Sequence, residues 1–306
     1  MALLGGLVTL DKKIRIARLS VVSNTLLTVG KLGVGLSTNS VSILSEALHS
    51  GLDLVAALIA YFAVWKSGQP ADERHQFGHG KYENVAAITE ALLILAAAAA
   101  IIIQAVPKFF RPHEIHALDL GASVMAVSAV VNLVVSQLLF KTARETDSPA
   151  LAGDAWHLRT DVYTSLGVFA GLLAIRFTGL TILDPAIAIV IAVVIIKAGI
   201  DLLRNSMHSI LDAKLPEEDL KVIKNVLLQF DSEYLEFHDL RTRKAGPYRF
   251  IDLHLVAPAN RPLQDVHSLC DRIEEAIEKR LPRTEMLIHI EPCDKHCDNC
   301  DQCPDK

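Results

Sequence analysis

Between residues 14 and 203 the chain is a succession of long apolar stretches, and no other feature so narrows what it can fold into. Six of them, 14–36, 41–65, 82–106, 118–140, 150–177 and 182–203, are long enough to span a bilayer, which takes roughly 20 helical residues. In hydrocarbon no water meets backbone amides, so such stretches must be helices that satisfy their own hydrogen bonds. The fourth and sixth are the plainest, whereas the second and fifth carry ionisable residues. The first has Ser20, Ser23, Asn24, Thr25 and Thr28 largely on one side, as expected of a face turned into a bundle.

From residue 212 onward the composition is that of an ordinary soluble protein. Over all 306 residues, 51% hydrophobic and 21% charged side chains are too apolar for one class and too charged for the other, so a membrane domain followed by a soluble one fits both halves. A net charge of −5 gives no reason to expect a nucleic-acid partner. The first ten residues lack a basic start and do not read as a cleaved leader. Lys12, Lys13, Arg15 and Arg18, the segment 66–81 and the turn 141–144 put most positive charge on one side. Only Lys108, Arg111 and Arg176 fall on the other, so both termini are expected in the cytoplasm.

After Pro216, residues 217–229 alternate charged and aliphatic residues at helical spacing. Residues 237–242 and 249–257 alternate in strand fashion around the turn Ala245-Gly246-Pro247. A second amphipathic helix over 263–281 and a short strand over 286–290 complete the order αββαβ, a small α+β layer of ferredoxin or metallochaperone type. The expected organisation is a six-helix transmembrane domain over 1–211, a cytoplasmic α+β domain over 212–292 and a cysteine-rich tail over 293–306.

Four clusters carry possible chemistry. His49 with Asp53, and His157 with Asp161, each stand four apart, which puts imidazole and carboxylate on one helix face. Two such helices face to face offer two nitrogens and two oxygens, a full tetrahedral set for a zinc-like ion. Ionisable groups within membrane helices are costly and read as a site or pathway by default. Glu46 and Asp154 precede these pairs by about one turn, and the spacing does not decide whether they touch metal. Asp72, His75 and His79 form a second set between the second and third spans, where a solvated loop is the alternative. His238, His254 and His289 lie on or beside expected strands, with His267 and Glu291 nearby. They could converge when the sheet forms or remain surface residues. Finally Cys293, Cys297, Cys300 and Cys303, four of the five cysteines, with His296 among them, stand at a spacing suited to a soft metal, an oxidisable, unstructured tail being the alternative.

Together these residues resemble the cation diffusion facilitators, specifically their bacterial zinc/iron efflux branch. The resemblance rests on Ser42-Ile-Leu-Ser-Glu-Ala-Leu-His-Ser-Gly-Leu-Asp53, the run from Pro70-Ala-Asp to Phe77-Gly-His-Gly-Lys81, Asp154-Ala-Trp-His-Leu-Arg-Thr-Asp161 and Phe237-His-Asp-Leu-Arg-Thr-Arg243, and covers about 12–292. It implies a homodimeric transporter, not an enzyme, that exchanges cytoplasmic Zn²⁺ for protons by alternating access. It further implies that His49, Asp53, His157 and Asp161 form the transport site and that Asp72, His75 and His79 form a loop site. By the same resemblance His238, His254, His267, His289 and Glu291 form a regulatory two-metal site at the dimer interface, and Lys81 with Asp212 an inter-subunit salt bridge. Some relatives have Asp where this chain has His49, and Glu291 stands where Asp is more usual. The cysteine tail lies outside the family core. Two rival classes are a membrane metalloenzyme, from Glu/Asp-x-x-His occurring twice, and a metal sensor built on the soluble domain.

Overall fold

The protein is described from a computed structural model covering residues 2–38, 41–108, 119–178, 180 and 182–293. It divides into two compact units, Met1–Met207 and His208–Lys306. The first contains six long helices: α1 (Ala2–Thr38), α2 (Val41–Ser67), α3 (Lys81–Lys108), α4 (Asp119–Thr146), α5 (Pro149–Thr178) and α6 (Leu183–Ile210), the last running past the unit's boundary. Each exceeds its apolar stretch because the flanking polar residues continue the helix.

Among the described residues, five segments are both long and apolar enough to cross a membrane: Leu10–Ser37, Glu46–Ser67, Lys81–Pro107, Ala126–Thr146 and Pro185–Ile210. The remaining long helix, α5, carries Asp154, His157, Arg159 and Asp161 in its first half.

Small side chains set the packing. Ala17, Ala56, Ala57, Ala60, Ala87, Ala91 and Ala98 are fully buried, which lets helix backbones approach closely. One cluster joins α1 to α5 through Ala17, Val64, Ala86, Leu139, Leu151 and Leu158, and another joins α3 to α6 through Ala91, Ile94 and Ile195. The outward faces carry large apolar side chains such as Leu26, Ile103 and Val190, the reverse of a water-soluble bundle. At one end of the bundle the buried Glu83 of α3 gathers four segments. It pairs with Lys13 of α1, accepts a hydrogen bond from Ser148 in the α4–α5 turn, and accepts another from Ser67 at the end of α2 at 2.5 Å.

In the second unit the order is α7 (Glu217–Leu227), a 3-10 turn, β1 (Glu236–Ala245), β2 (Tyr248–Ala257), α8 (Leu263–Arg280) and β3 (Thr284–Pro292). The sheet runs β1-β2-β3, with β1 antiparallel and β3 parallel to the central β2. Strand alternation puts Ile251, Leu253 and Leu255 on one face, against Ile223, Val226 and Leu227 of α7 and Leu269, Ile273 and Ile277 of α8. Gly246 at φ +58° makes the hairpin turn expected there, a conformation glycine adopts without steric penalty.

Candidate metal sites

Helices α2 and α5 pack together and bring the two His/Asp pairs to one place. His157 Nε2 lies 3.1 Å from Asp53 Oδ1. His49 Nε2 lies 3.9 Å from Asp53 Oδ1 and 3.7 Å from Asp161 Oδ1. His49, Asp53 and Asp161 offer ligand atoms all within 4.8 Å of one another, and His157 joins them through Asp53. The ligand-to-ligand edge of a zinc tetrahedron is about 3.4 Å, from metal–nitrogen and metal–oxygen bonds near 2.1 Å. The observed contacts of 3.1 to 3.9 Å lie around that value.

Neighbouring helices supply groups that the spacing of the pairs does not disclose. Glu90 of α3 is fully buried, with Oε2 3.4 Å from His157 Nδ1, the ring nitrogen turned away from Asp53. Neither of its oxygens makes a hydrogen bond among the described residues. An acid well inside an apolar span of mean hydropathy 2.5 was the available signal. Asn132 Nδ2 of α4 stands 3.5 Å from Asp161 Oδ2. Glu46 instead pairs with Lys31 of α1 at 3.4 Å, and Lys31 also donates to Ser50 Oγ at 2.8 Å. Asp154 is buried, with both oxygens lacking a hydrogen-bond partner among the described residues.

In the loop before α3, Asp72 Oδ1 accepts the backbone N–H groups of Arg74 at 2.9 Å and His75 at 2.7 Å, an Asx-type turn. Those N–H groups, His75's foremost, hold the Asp72 carboxyl below the usual carboxylate range. Its oxygens lie 3.2 Å from His75 Nδ1 and 3.2 Å from His79 Nε2. His79 is buried, and neither ring nitrogen has a hydrogen bond of good geometry. The three residues form a ligand-competent cluster.

On the sheet, strand register rather than sequence proximity builds the third site. His238 pairs with His254 and His254 with His289, so one row crosses all three strands. Glu291 reaches this row, with Oε1 2.8 Å from His254 Nδ1 and Oε2 3.3 Å from His238 Nε2. His289 Nε2 is 3.8 Å from Glu291 Oε1. His267 lies apart on α8, exposed and 3.8 Å from Asp271. Lys81 opens α3 in the first unit, whereas Asp212 in the second faces Arg243 at 3.7 Å. Cys293 donates its backbone N–H to Ala257 at 3.0 Å, and Cys297, Cys300 and Cys303 lie outside the described residues.

A helical domain with apolar outward faces, enclosing imidazoles and carboxylates and followed by a histidine-bearing α+β unit, defines a membrane protein that handles metal cations. Residues 17–211 match the cation efflux transmembrane domain and residues 215–293 the cytoplasmic domain of cation efflux proteins. The chain belongs to the cation efflux, or cation diffusion facilitator, family. Over 272 residues it is 35% identical to an uncharacterised transporter of Synechocystis sp., covering 89% of this chain and 88% of the relative. Over 282 residues it is 32% identical to the cation-efflux pump FieF of Pectobacterium atrosepticum, covering 91% and 93%. A solved structure titled as the zinc form of a putative zinc transporter, CzrB, is 38% identical and covers 26% of this chain and 90% of that one, with a TM-score of 0.25. The protein is therefore a multi-pass membrane transporter for metal cations and not an enzyme.

Proposed function

We propose that the protein exports Zn²⁺ in exchange for protons, working as a homodimer by alternating access. The observation that carries this reading is the convergence of His49, Asp53, His157 and Asp161, from two helices, at contacts of 3.1 to 3.9 Å. Two imidazoles and two carboxylates suit Zn²⁺ better than harder ions such as Mg²⁺. Metal and protons compete for the same lone pairs, and imidazole exchanges protons near neutral pH, so one site can couple both fluxes. In this reading α5 is the sixth span, tolerated because its polar face meets α2, α3 and α4 rather than lipid.

The remaining assignments follow the same frame. The transport domain is 1–211, the αββαβ unit 212–292 is a metallochaperone-like cytoplasmic dimerisation domain, and 293–306 is a thiol-bearing tail in which Cys293, Cys297, Cys300 and Cys303 hold a soft metal. Both termini face the cytoplasm from the inner membrane. Asp72, His75 and His79 hold a loop metal. His238, His254, His289 and Glu291, with His267 completed by the second subunit, hold regulatory zinc, and Lys81 meets Asp212 of the partner subunit. Sedimentation of the full chain in detergent should give a dimer, tighter with zinc present; a monomer under both conditions would sink that assembly.

The transport claim is tested in proteoliposomes carrying a pH gradient and a zinc dye. Asp53→Ala and Asp161→Ala should each abolish zinc flux, and flux surviving both substitutions would place the metal's route elsewhere. In the same vesicles His49→Asp should admit Cd²⁺ and Fe²⁺ relative to Zn²⁺, because it replaces a nitrogen ligand by oxygen. Unchanged selectivity would show that His49 does not choose the metal.

A further inference from the structure

A cavity of about 550 Å³ opens along α4 and α5, lined by Gln137, Phe140, Lys141, Arg144, Glu145, Trp156, Arg159 and Tyr163. Its chemistry is opposite to that of the metal sites. Three permanent or near-permanent cations, Lys141, Arg144 and Arg159, face it, with one carboxylate, Glu145, already paired with Lys12 of α1. Among the described residues none of these three cations has a carboxylate within ion-pair distance. Such a wall repels a divalent metal, so the cavity is no route for the transported ion. It calls for an anion.

Arg159 makes the strongest case. It stands mid-helix on α5, where a guanidinium is expensive without a partner. Its Nε is buried and has no hydrogen-bond partner among the described residues, while the guanidinium lies 5.4 Å from the Phe140 ring centre. Phe140 in turn meets Trp156 edge-to-face at 5.2 Å. The result is a forked donor set held over an aromatic floor, the geometry that suits a bidentate phosphate contact. Lys141 and Arg144 lie in the last two turns of the segment Ala126–Thr146, near its end. Basic pockets between membrane helices at that level bind anionic lipid headgroups.

We propose that this α4–α5 cavity binds the phosphate of an anionic phospholipid, with Arg159 gripping the phosphate, Lys141 and Arg144 holding it from the headgroup side, and Trp156, Phe140 and Tyr163 packing its glycerol and upper acyl chain. The site is separate from the metal cluster, and only its assignment to the cytoplasmic leaflet depends on the orientation given above.

The test is native mass spectrometry of the full chain in detergent with added phosphatidylglycerol, phosphatidylcholine or glycerol phosphate. Wild type should retain phosphatidylglycerol and shed phosphatidylcholine under the same activation. Arg159→Gln should reduce the retained fraction at least roughly tenfold. The double substitution Lys141→Gln with Arg144→Gln, at exposed positions that leave the core intact, should do the same if Arg159→Gln fails to fold. Equal retention of phosphatidylcholine, or unchanged phosphatidylglycerol on the double variant, would overturn the proposal. Displacement of the lipid by equimolar glycerol phosphate would also overturn it, since the site would then recognise free phosphate rather than a lipid.

Discussion

Behind His157 stands Glu90, a carboxylate placed to orient the imidazole in the proposed transport site. A metal-ligating histidine commonly donates its second ring N–H to a carboxylate, which fixes the tautomer and raises ligand basicity. With Nδ1 turned to Glu90 at 3.4 Å, Nε2 is left for the ion. Glu90→Gln keeps the shape and removes the charge, and it should weaken zinc binding by roughly tenfold while leaving the protein folded. Competition with a chromogenic chelator in detergent reads this directly, and an unchanged affinity would reduce Glu90 to a packing role. The two residues are far apart in sequence, so no spacing could have paired them. The i,i+4 pairs were legible because a helix enforces their neighbourhood, whereas Glu90 reaches His157 only through the packing of α3 on α5.

At the scale of elements, the crossing of α3 and α5 depends on Gly153. A Cβ there would lie 3.1 Å from Glu90 Cβ and Cγ and 3.3 Å from the Ala87 backbone. Alanine gains about 1 kcal/mol in helix propensity over glycine, but overpacking against backbone costs about 1–3 kcal/mol. Ala87 Cα cannot swing aside as a flexible side chain can, so Gly153→Ala should be net destabilising. The expected result is a lower thermal midpoint in detergent, with Glu90 pushed from His157; a raised midpoint would mean the crossing relaxes easily. Apolar length marked the long helices here and residue spacing the order αββαβ beyond, yet neither marked this contact, because a small residue carries no pattern. It likewise could not say that His267 stands apart from His254, since that depends on how α8 turns over the sheet. The histidine row across β1, β2 and β3 was foreseeable only as convergence, its partners being set by register.

For the whole molecule, polar groups of the first unit gather in several places, among them the His/Asp cluster between α2 and α5 and the Lys13–Glu83 pair at the bundle's end. Removing one partner of a buried pair leaves an uncompensated charge and costs about 3–5 kcal/mol. Glu83→Ala strands Lys13 and frees both serines, so a marked loss of thermal stability in detergent is expected even though the metal ligands are untouched. A variant as stable as wild type would show that water reaches Lys13 readily.

The gathering of α1, α2, α3 and the α4–α5 turn on a single carboxylate has a mechanical consequence. Splaying the bundle at this end means drawing Glu83 away from a lysine and two serines at once. Splaying it at the opposite end leaves all three contacts intact. Separating the helices at the two ends of the bundle therefore has unequal cost, because only one end must break the Glu83 contacts.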